Sequence, residues 1–147
     1  KNEYTPADLF PAYAKCVREK KYDEASWLFT IAGVYSYFDS LRVVDRTSHG
    51  AGQVLIIESS ASLKDISAEH QIWYRKHLNK NTNFNSPAHL KLCSDVKKVG
   101  KPNYYPAYMI QHGMAAFRSN NNNPLVENFN ADDAWKKTLD KYLHCPI

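Results

Sequence analysis

Apolar side chains recur along much of the chain at intervals of three and four residues, which is the spacing of one face of an α-helix. Two of these segments open on a hydroxyl residue followed by proline, at Thr5-Pro6 and at Ser86-Pro87. The hydroxyl can cap the free N–H groups of a helix, and proline fits the first helical position. Both segments are therefore predicted to be amphipathic helices. The core stripe predicted for the second comprises Leu90, Leu92, Cys93 and Val96.

The same pattern predicts further helices along the rest of the chain. They cover Tyr22–Val34, Tyr37–Ser48, Ser67–Leu78, Pro106–Phe117 and the segment that Asn130 caps, and the polar loops are Asn79–Asn85 and Arg118–Pro124. Gly33 is expected to loosen the chain between the second and third helices. Val54–Ile57 is β-branched, but it is assigned to a helix because the chain has no second strand to pair with it. The predicted fold class is all-α, a compact single-domain bundle of six or seven helices over residues 1–147.

Composition and charge narrow the classes of protein to which the chain can belong. It has 147 residues, of which 44% are hydrophobic and 13% aromatic, so it can bury a core and is not a disordered sequence. The longest runs without charge, Ala25–Phe38 and Pro102–Phe117, are shorter than the roughly 20 residues that a membrane-crossing helix needs. The formal net charge of +4 is spread along the chain, whereas nucleic-acid-binding proteins concentrate charge on one face. Neither a membrane span nor a nucleic-acid partner is predicted.

Three cysteines are too few for a disulfide scaffold, and they lack the spacing of a zinc or redox motif. Because Cys145 follows the last predicted helix, we expect it to pair with Cys93 and to hold that helix against the body. The bond would close a loop of about fifty residues and stabilise the fold by roughly 4 kcal/mol. Cys16 would remain free. Since the sequence starts at Lys1 without an apolar leader, a secretory signal is expected to have been removed; the alternative is three free thiols in a cytoplasmic protein.

The densest polar cluster is Asp45-Arg46-Thr47-Ser48-His49. On the predicted helix Asp45 and His49 share one face, as an acid–base pair would, and Arg46 could hold an anion. Together with His112, these residues form the site of one hypothesis, a small enzyme. An Asp–His pair at this spacing is equally typical of a structural hydrogen bond at a helix end, and no nucleophile lies beside it in the sequence.

A second cluster comprises Tyr104, Tyr105, Tyr108, Met109, Gln111 and His112. Tyr105, Tyr108 and His112 would lie on one side of a helix that begins near Pro106. Tyrosine joins an apolar ring to a polar tip, which suits a protein interface. The alternative interpretation places the same rings in the core, and the sequence leaves both open.

No metal or cofactor site is predicted. His70 and His77 are seven positions apart, so they lie two helical turns from each other and cannot chelate one ion together. The zinc-protease, phosphate-loop and nucleophile-elbow patterns are absent from the sequence.

The two opening helices resemble the helix–turn–helix unit of tetratricopeptide and Sel1-like repeats. The matching residues are Tyr22, Ala25, Ala32 and Gly33. The likeness covers about thirty residues and does not recur at the repeat period of about 34 residues, so it implies helix-pair packing only.

The stretches Arg42–Ala51 and Tyr104–Phe117 resemble a family of small, mostly uncharacterised, exported bacterial helical proteins, whose members end near a Tyr-Leu-His-Cys like that at Tyr142–Cys145. Some proteins of this kind are similar to immunity proteins, which neutralise a toxin delivered by a type VI or type IV secretion system. The resemblance implies a periplasmic location and a protein toxin as partner. The residues expected to bind it are Tyr104, Tyr105, Tyr108, His112, Asp45, Arg46 and His49. A homodimer and a structural helical interaction module remain open as alternatives.

Overall fold

The structure, a computed structural model, describes residues 1–78, 83–117 and 123–146. Within these ranges the chain forms seven α-helices and no extended strand, so the all-α prediction is confirmed. The helices are α1 (Pro6–Arg18), α2 (Tyr22–Arg42), α3 (Ala51–Ala61), α4 (Ser67–Trp73), α5 (Pro87–Val99), α6 (Ala107–Ile110) and α7 (Ala131–Lys141). Shorter turns cover Arg46–Ser48, Lys64–Ile66, Tyr74–Leu78 and Met114–Phe117. Most of each predicted polar loop, at 79–82 and at 118–122, lies outside the described residues.

The first helix begins where its sequence predicts. The Asp8 carboxylate accepts the backbone N–H of Thr5 at 3.0 Å, and Pro6 occupies the first helical position. This arrangement satisfies a free donor at the helix start and places a negative charge near its positive end. The face of α1 that is buried on α2 carries Phe10, Tyr13 and Val17.

The prediction that the chain loosens at Gly33 and starts a new helix at Tyr37 is wrong. α2 continues through both residues as a single helix of 21 residues. A β-carbon at Gly33 would overlap the hydroxyl group of Tyr142, which follows α7. Gly33 therefore permits the close approach of the C-terminal segment and does not mark a helix end.

An aromatic cluster fills the core between α1, α2 and α4. Trp73 is 1% exposed and stacks on Tyr13 with ring centroids 5.3 Å apart, while Phe29 meets both rings edge-on. The indole N–H of Trp73 donates to the carbonyl of Tyr22 at 3.2 Å. A helix as short as α4 is unstable alone, so this one buried side chain anchors it to the bundle.

The helical assignment of Val54–Ile57 is confirmed, since these residues lie inside α3. Leu55 and Ile56 pack against the main core. At the start of the helix, Ala51 packs with Val43 and Met109 in a second, smaller core cluster. α3 therefore links the main core to the end of α2, where the predicted site residues lie.

The C-terminal segment is tied to α5 at two points. A disulfide joins Cys93 to Cys145 with Cα atoms 5.8 Å apart, which confirms the predicted pairing, and Cys16 is free. One helical turn before Cys93, the fully buried His89 donates from Nε2 to the carbonyl of Leu143 at 2.8 Å. These two links hold the chain after α7 against α5.

Candidate functional site

The two sequence stretches that carry the predicted site residues meet at the C-terminal end of α2. The turn that follows α2 packs against the backbone of Gly113, where a β-carbon would overlap the Asp45 carboxylate. Beside this contact, Thr47 Oγ1 accepts the N–H of Met114 at 2.8 Å. Both contacts join side chains of the turn after α2 to the backbone of residues 113 and 114, so they bring the two stretches together.

The centre of the site is Asp39, whose carboxylate lies on the last turns of α2 and has no exposed surface. The hydroxyls of Tyr104 and Tyr108 donate to Oδ2 at 2.5 and 2.6 Å. Arg42 places Nη2 and Nε at 2.7 and 2.8 Å from Oδ1. Each oxygen of the carboxylate thus receives two donor groups, which offset the cost of taking the charge out of water.

Arg42 connects this carboxylate to the connector before α6. Its Nη2 also donates to the carbonyl of Tyr104 at 3.0 Å. The guanidinium carbon lies 5.2 Å from the ring centroids of both Phe38 and Tyr104. The two aromatic rings and the carboxylate each stabilise a guanidinium group in this position, where the side chain is only 12% exposed.

A third segment, residues 123–126, joins the same turn of α2. The N–H of Val126 donates to the carbonyl of Arg42 at 2.8 Å, beside an antiparallel bridge between Val43 and Leu125. Because side chains alternate along extended backbone, Val43 points into the smaller core cluster while Val44 points outward and is 54% exposed.

Burial raises the pKa of Asp39, and the charge of Arg42 and the two phenol hydrogen bonds oppose that shift. Burial also raises the pKa of Tyr104 and of Tyr108, and the neighbouring Asp39 carboxylate raises both further. The two phenols are therefore protonated at neutral pH and act as hydrogen-bond donors. Asp39, Arg42, Tyr104 and Tyr108 therefore form a structural hydrogen-bond network.

Asp45 and His49 do not form the pair that the predicted helix placed on one face. The helix ends at Arg42, and Asp45 caps the following turn by accepting the N–H and the hydroxyl of Thr47 at 3.0 and 2.6 Å. His49 donates from Nε2 to the carbonyl of Val43 at 2.7 Å. Both side chains are engaged by local groups, so the geometry favours the structural interpretation over an acid–base site.

The predicted helix Pro106–Phe117 is broken into two short elements, and this expectation is also wrong. α6 ends at Ile110, and a 3₁₀ turn begins at Met114. Between them the chain turns at Gly113, because only a residue without a side chain fits against the turn after α2. A contact with a distant part of the chain therefore overrides the local helical pattern.

The break separates the residues that were expected on one helix face. Tyr104 and Tyr108 direct their hydroxyls inward to the buried carboxylate, which agrees with the core interpretation of these rings. Tyr105 precedes α6 and is 57% exposed, while His112 follows α6 and is also exposed. Arg46 is exposed on the turn after α2.

Sequence reasoning did not single out Asp39, although a signal for it exists. It is the only charged residue between Glu24 and Arg42, in a long helix whose other charged residues lie in its first and last turns. A lone carboxylate in such a segment, with an arginine three positions later, is typical of a buried ion pair.

Each of the three joined segments carries exposed side chains, which together we call the junction surface. It comprises Val44, Arg46, His112, Met114 and Val126. Met114 is 57% exposed although its own N–H is bonded to the turn after α2. In the part of the chain that the structure describes, the Arg46 guanidinium forms no ion pair. The junction surface thus combines apolar side chains with the guanidinium group of Arg46.

A metal site and a membrane-spanning helix find no support in the described ranges. These ranges contain no group of three or more His, Cys, Asp or Glu that could hold a metal ion. No helix in them is both long and apolar enough to cross a membrane. No family model, curated protein or solved structure matches the chain, so the likenesses drawn from its sequence stay predictions.

Proposed function

We propose that this protein is a periplasmic immunity protein, which binds a toxin delivered by a type VI or type IV secretion system and blocks the toxin's active site. The observation that carries the proposal is the junction surface. Its exposed apolar side chains and the Arg46 guanidinium lie on segments that hydrogen-bond to one another at the end of α2. Partners bind tightly to such preorganised anchors because little conformational freedom is lost on binding. The resemblance of Arg42–Ala51 and Tyr104–Phe117 to exported bacterial proteins also supports it.

Within this proposal the residues have two kinds of role. Met114 and the exposed Tyr105, which precedes α6, are the apolar anchors, and Arg46 pairs with a carboxylate of the toxin. Tyr104 and Tyr108 do not contact the toxin; their hydrogen bonds to the buried Asp39 position the segments that carry the junction surface. The contact is steric and electrostatic and requires no chemical step by the immunity protein.

The test is a binding measurement with the purified toxin encoded by the gene next to this one. We expect Met114→Glu to weaken binding at least thirtyfold, because loss of a central anchor costs about 2 kcal/mol or more. Arg46→Glu should weaken it at least tenfold and reduce the dependence of affinity on salt. Lys136→Glu, an equal charge change on the exposed face of α7, is the matched control.

Circular dichroism of each variant establishes that the helices are intact. If the wild-type protein leaves the toxin unbound and active, the proposed function is wrong. If Met114→Glu and Arg46→Glu bind as tightly as Lys136→Glu, the toxin is held by another surface.

A further inference from the structure

We propose that a groove along α5 binds an acidic peptide segment of a partner protein, at a place separate from the junction surface. The groove has a volume of about 410 Å³ and is lined by Leu90, Cys93, Ser94, Lys97, Lys98 and Pro146. One wall is a stripe of α5, and the other is the chain that follows α7. The proposal is independent of the immunity function proposed above.

The walls of this groove are fixed to each other. The disulfide joins Cys93 on the α5 wall to Cys145, the residue before Pro146. The Cys145 N–H donates to the carbonyl of Leu139 at 2.8 Å, which ties the same wall back to α7. A groove with crosslinked walls is preformed, so a ligand does not have to order it.

The lining of the groove is apolar at one end and positively charged at the other. Leu90, which its helical pattern predicts to be buried, is 43% exposed at one end. Lys97 and Lys98 are exposed at the other, and no carboxylate is among the lining residues. In the described ranges Lys97 forms no ion pair, and Lys98 lies 3.9 Å from Asp95, at the limit of one.

This spacing specifies the kind of ligand. Leu90 is seven and eight residues from Lys97 and Lys98 on a helix, which separates it from them by about 10 and 12 Å. In an extended peptide every second side chain lies on the same face, and four residues cover about 13 Å at about 3.3 Å each. The ligand is therefore an extended segment that carries an apolar residue and, four positions from it, an Asp or Glu.

The experiment measures fluorescence anisotropy of a labelled peptide, Leu-Ser-Ser-Glu-Glu, with the whole protein at low ionic strength. The groove variant Lys97→Glu/Lys98→Glu should bind at least tenfold more weakly than wild type. The control variant Lys136→Glu/Lys137→Glu changes two adjacent lysines on α7 and lowers the net charge by the same amount, from +4 to zero. It should bind within about twofold of wild type. A peptide with Gln in place of Glu should not bind.

Three results would overturn the proposal. The wild-type protein could fail to bind the acidic peptide, the groove variant could bind it as well as wild type, or both double variants could lose the same affinity, which would indicate general charge attraction. Leu90→Ser, which keeps every charge, separates a groove from a charged patch: it should weaken binding at least threefold. Because no toxin is used, these results do not depend on the outcome of the toxin experiment.

Discussion

At the scale of single residues, Asp39 organises the whole candidate site. Its two oxygens receive donors from α2 itself and from residues 65 and 69 positions further along the chain. A buried carboxylate is costly unless it is fully hydrogen-bonded, so the packing at this end of the bundle depends on both distant phenols being present. The exposed Tyr105 is adjacent to Tyr104 in the sequence but does not donate to Asp39, so it serves as a control for Tyr104.

Removing one phenol hydroxyl at a time tests this dependence. Tyr104→Phe and Tyr108→Phe should each lower the free energy of unfolding by about 1.5–3 kcal/mol, because each removes a hydrogen bond to a buried charge. Tyr105→Phe should change it by less than about 0.5 kcal/mol. Denaturant unfolding followed by circular dichroism measures all three. Equal effects at Tyr104 and Tyr105 would show that the inward hydrogen bond contributes nothing.

At the scale of elements, two glycine substitutions distinguish the effect of a contact between segments from the effect of local helix preference. Gly113→Ala should lower the free energy of unfolding by about 1–3 kcal/mol, since the new methyl group would overlap the Asp45 carboxylate. Gly50→Ala places a methyl group in open space and should be neutral or stabilising by up to about 1 kcal/mol. Thermal unfolding of the two variants gives the comparison. A Gly113→Ala protein as stable as wild type would mean that the two segments are not in close contact.

The C-terminal segment provides a second prediction at this scale. Reduction of the Cys93–Cys145 disulfide should lower the free energy of unfolding by about 2–5 kcal/mol, because the unfolded chain then loses a loop constraint of 52 residues. An alkylating reagent followed by mass spectrometry should modify only Cys16 in the unfolded, unreduced protein. After reduction it should modify all three cysteines. Three modifications without a reductant would contradict the disulfide.

Element by element, what the sequence could predict depends on the range of the interactions involved. Thr5, Ser86 and Asn130 start helices where predicted, because a cap is a contact within three residues. The predicted break at Gly33 fails because that glycine accommodates Tyr142, more than a hundred positions away. No pattern within a helix window contains that information.

At the scale of the whole molecule, the buried phenols predict how stability depends on alkaline pH. Burial raises the pKa of five tyrosines, namely Tyr13, Tyr35, Tyr104, Tyr108 and Tyr142. In the unfolded chain phenols ionise near pH 10, about the usual value. The stabilisation is therefore complete below pH 10 and is lost as the pH rises toward the higher folded values, since the unfolded chain then releases more protons.

We expect the free energy of unfolding to be nearly constant from pH 8 to about 9.5 and to fall steeply above pH 10. The double variant Tyr104→Phe/Tyr108→Phe should show a shallower fall, because two of the phenols that resist ionisation are gone. Urea unfolding at each pH, with tyrosinate absorbance recorded in parallel, measures both quantities. The same slope in wild type and double variant would contradict the assignment of raised pKa values to these two side chains.

The amino-acid sequence alone was sufficient for the helical class and most helix starts, since periodicity and caps are visible in short windows. It favoured the pairing of Cys93 with Cys145 but left three free thiols as an alternative, and the tertiary structure decided between them. The candidate site could not be predicted from such local patterns. The clustering of Asp39 with two tyrosines, the turn at Gly113 and the outward position of Met114 arise only when three remote segments meet at the end of α2. The hydrogen-bond partners of a buried charge are set by the tertiary structure. Because these partners are distant along the chain, no local sequence pattern identifies them.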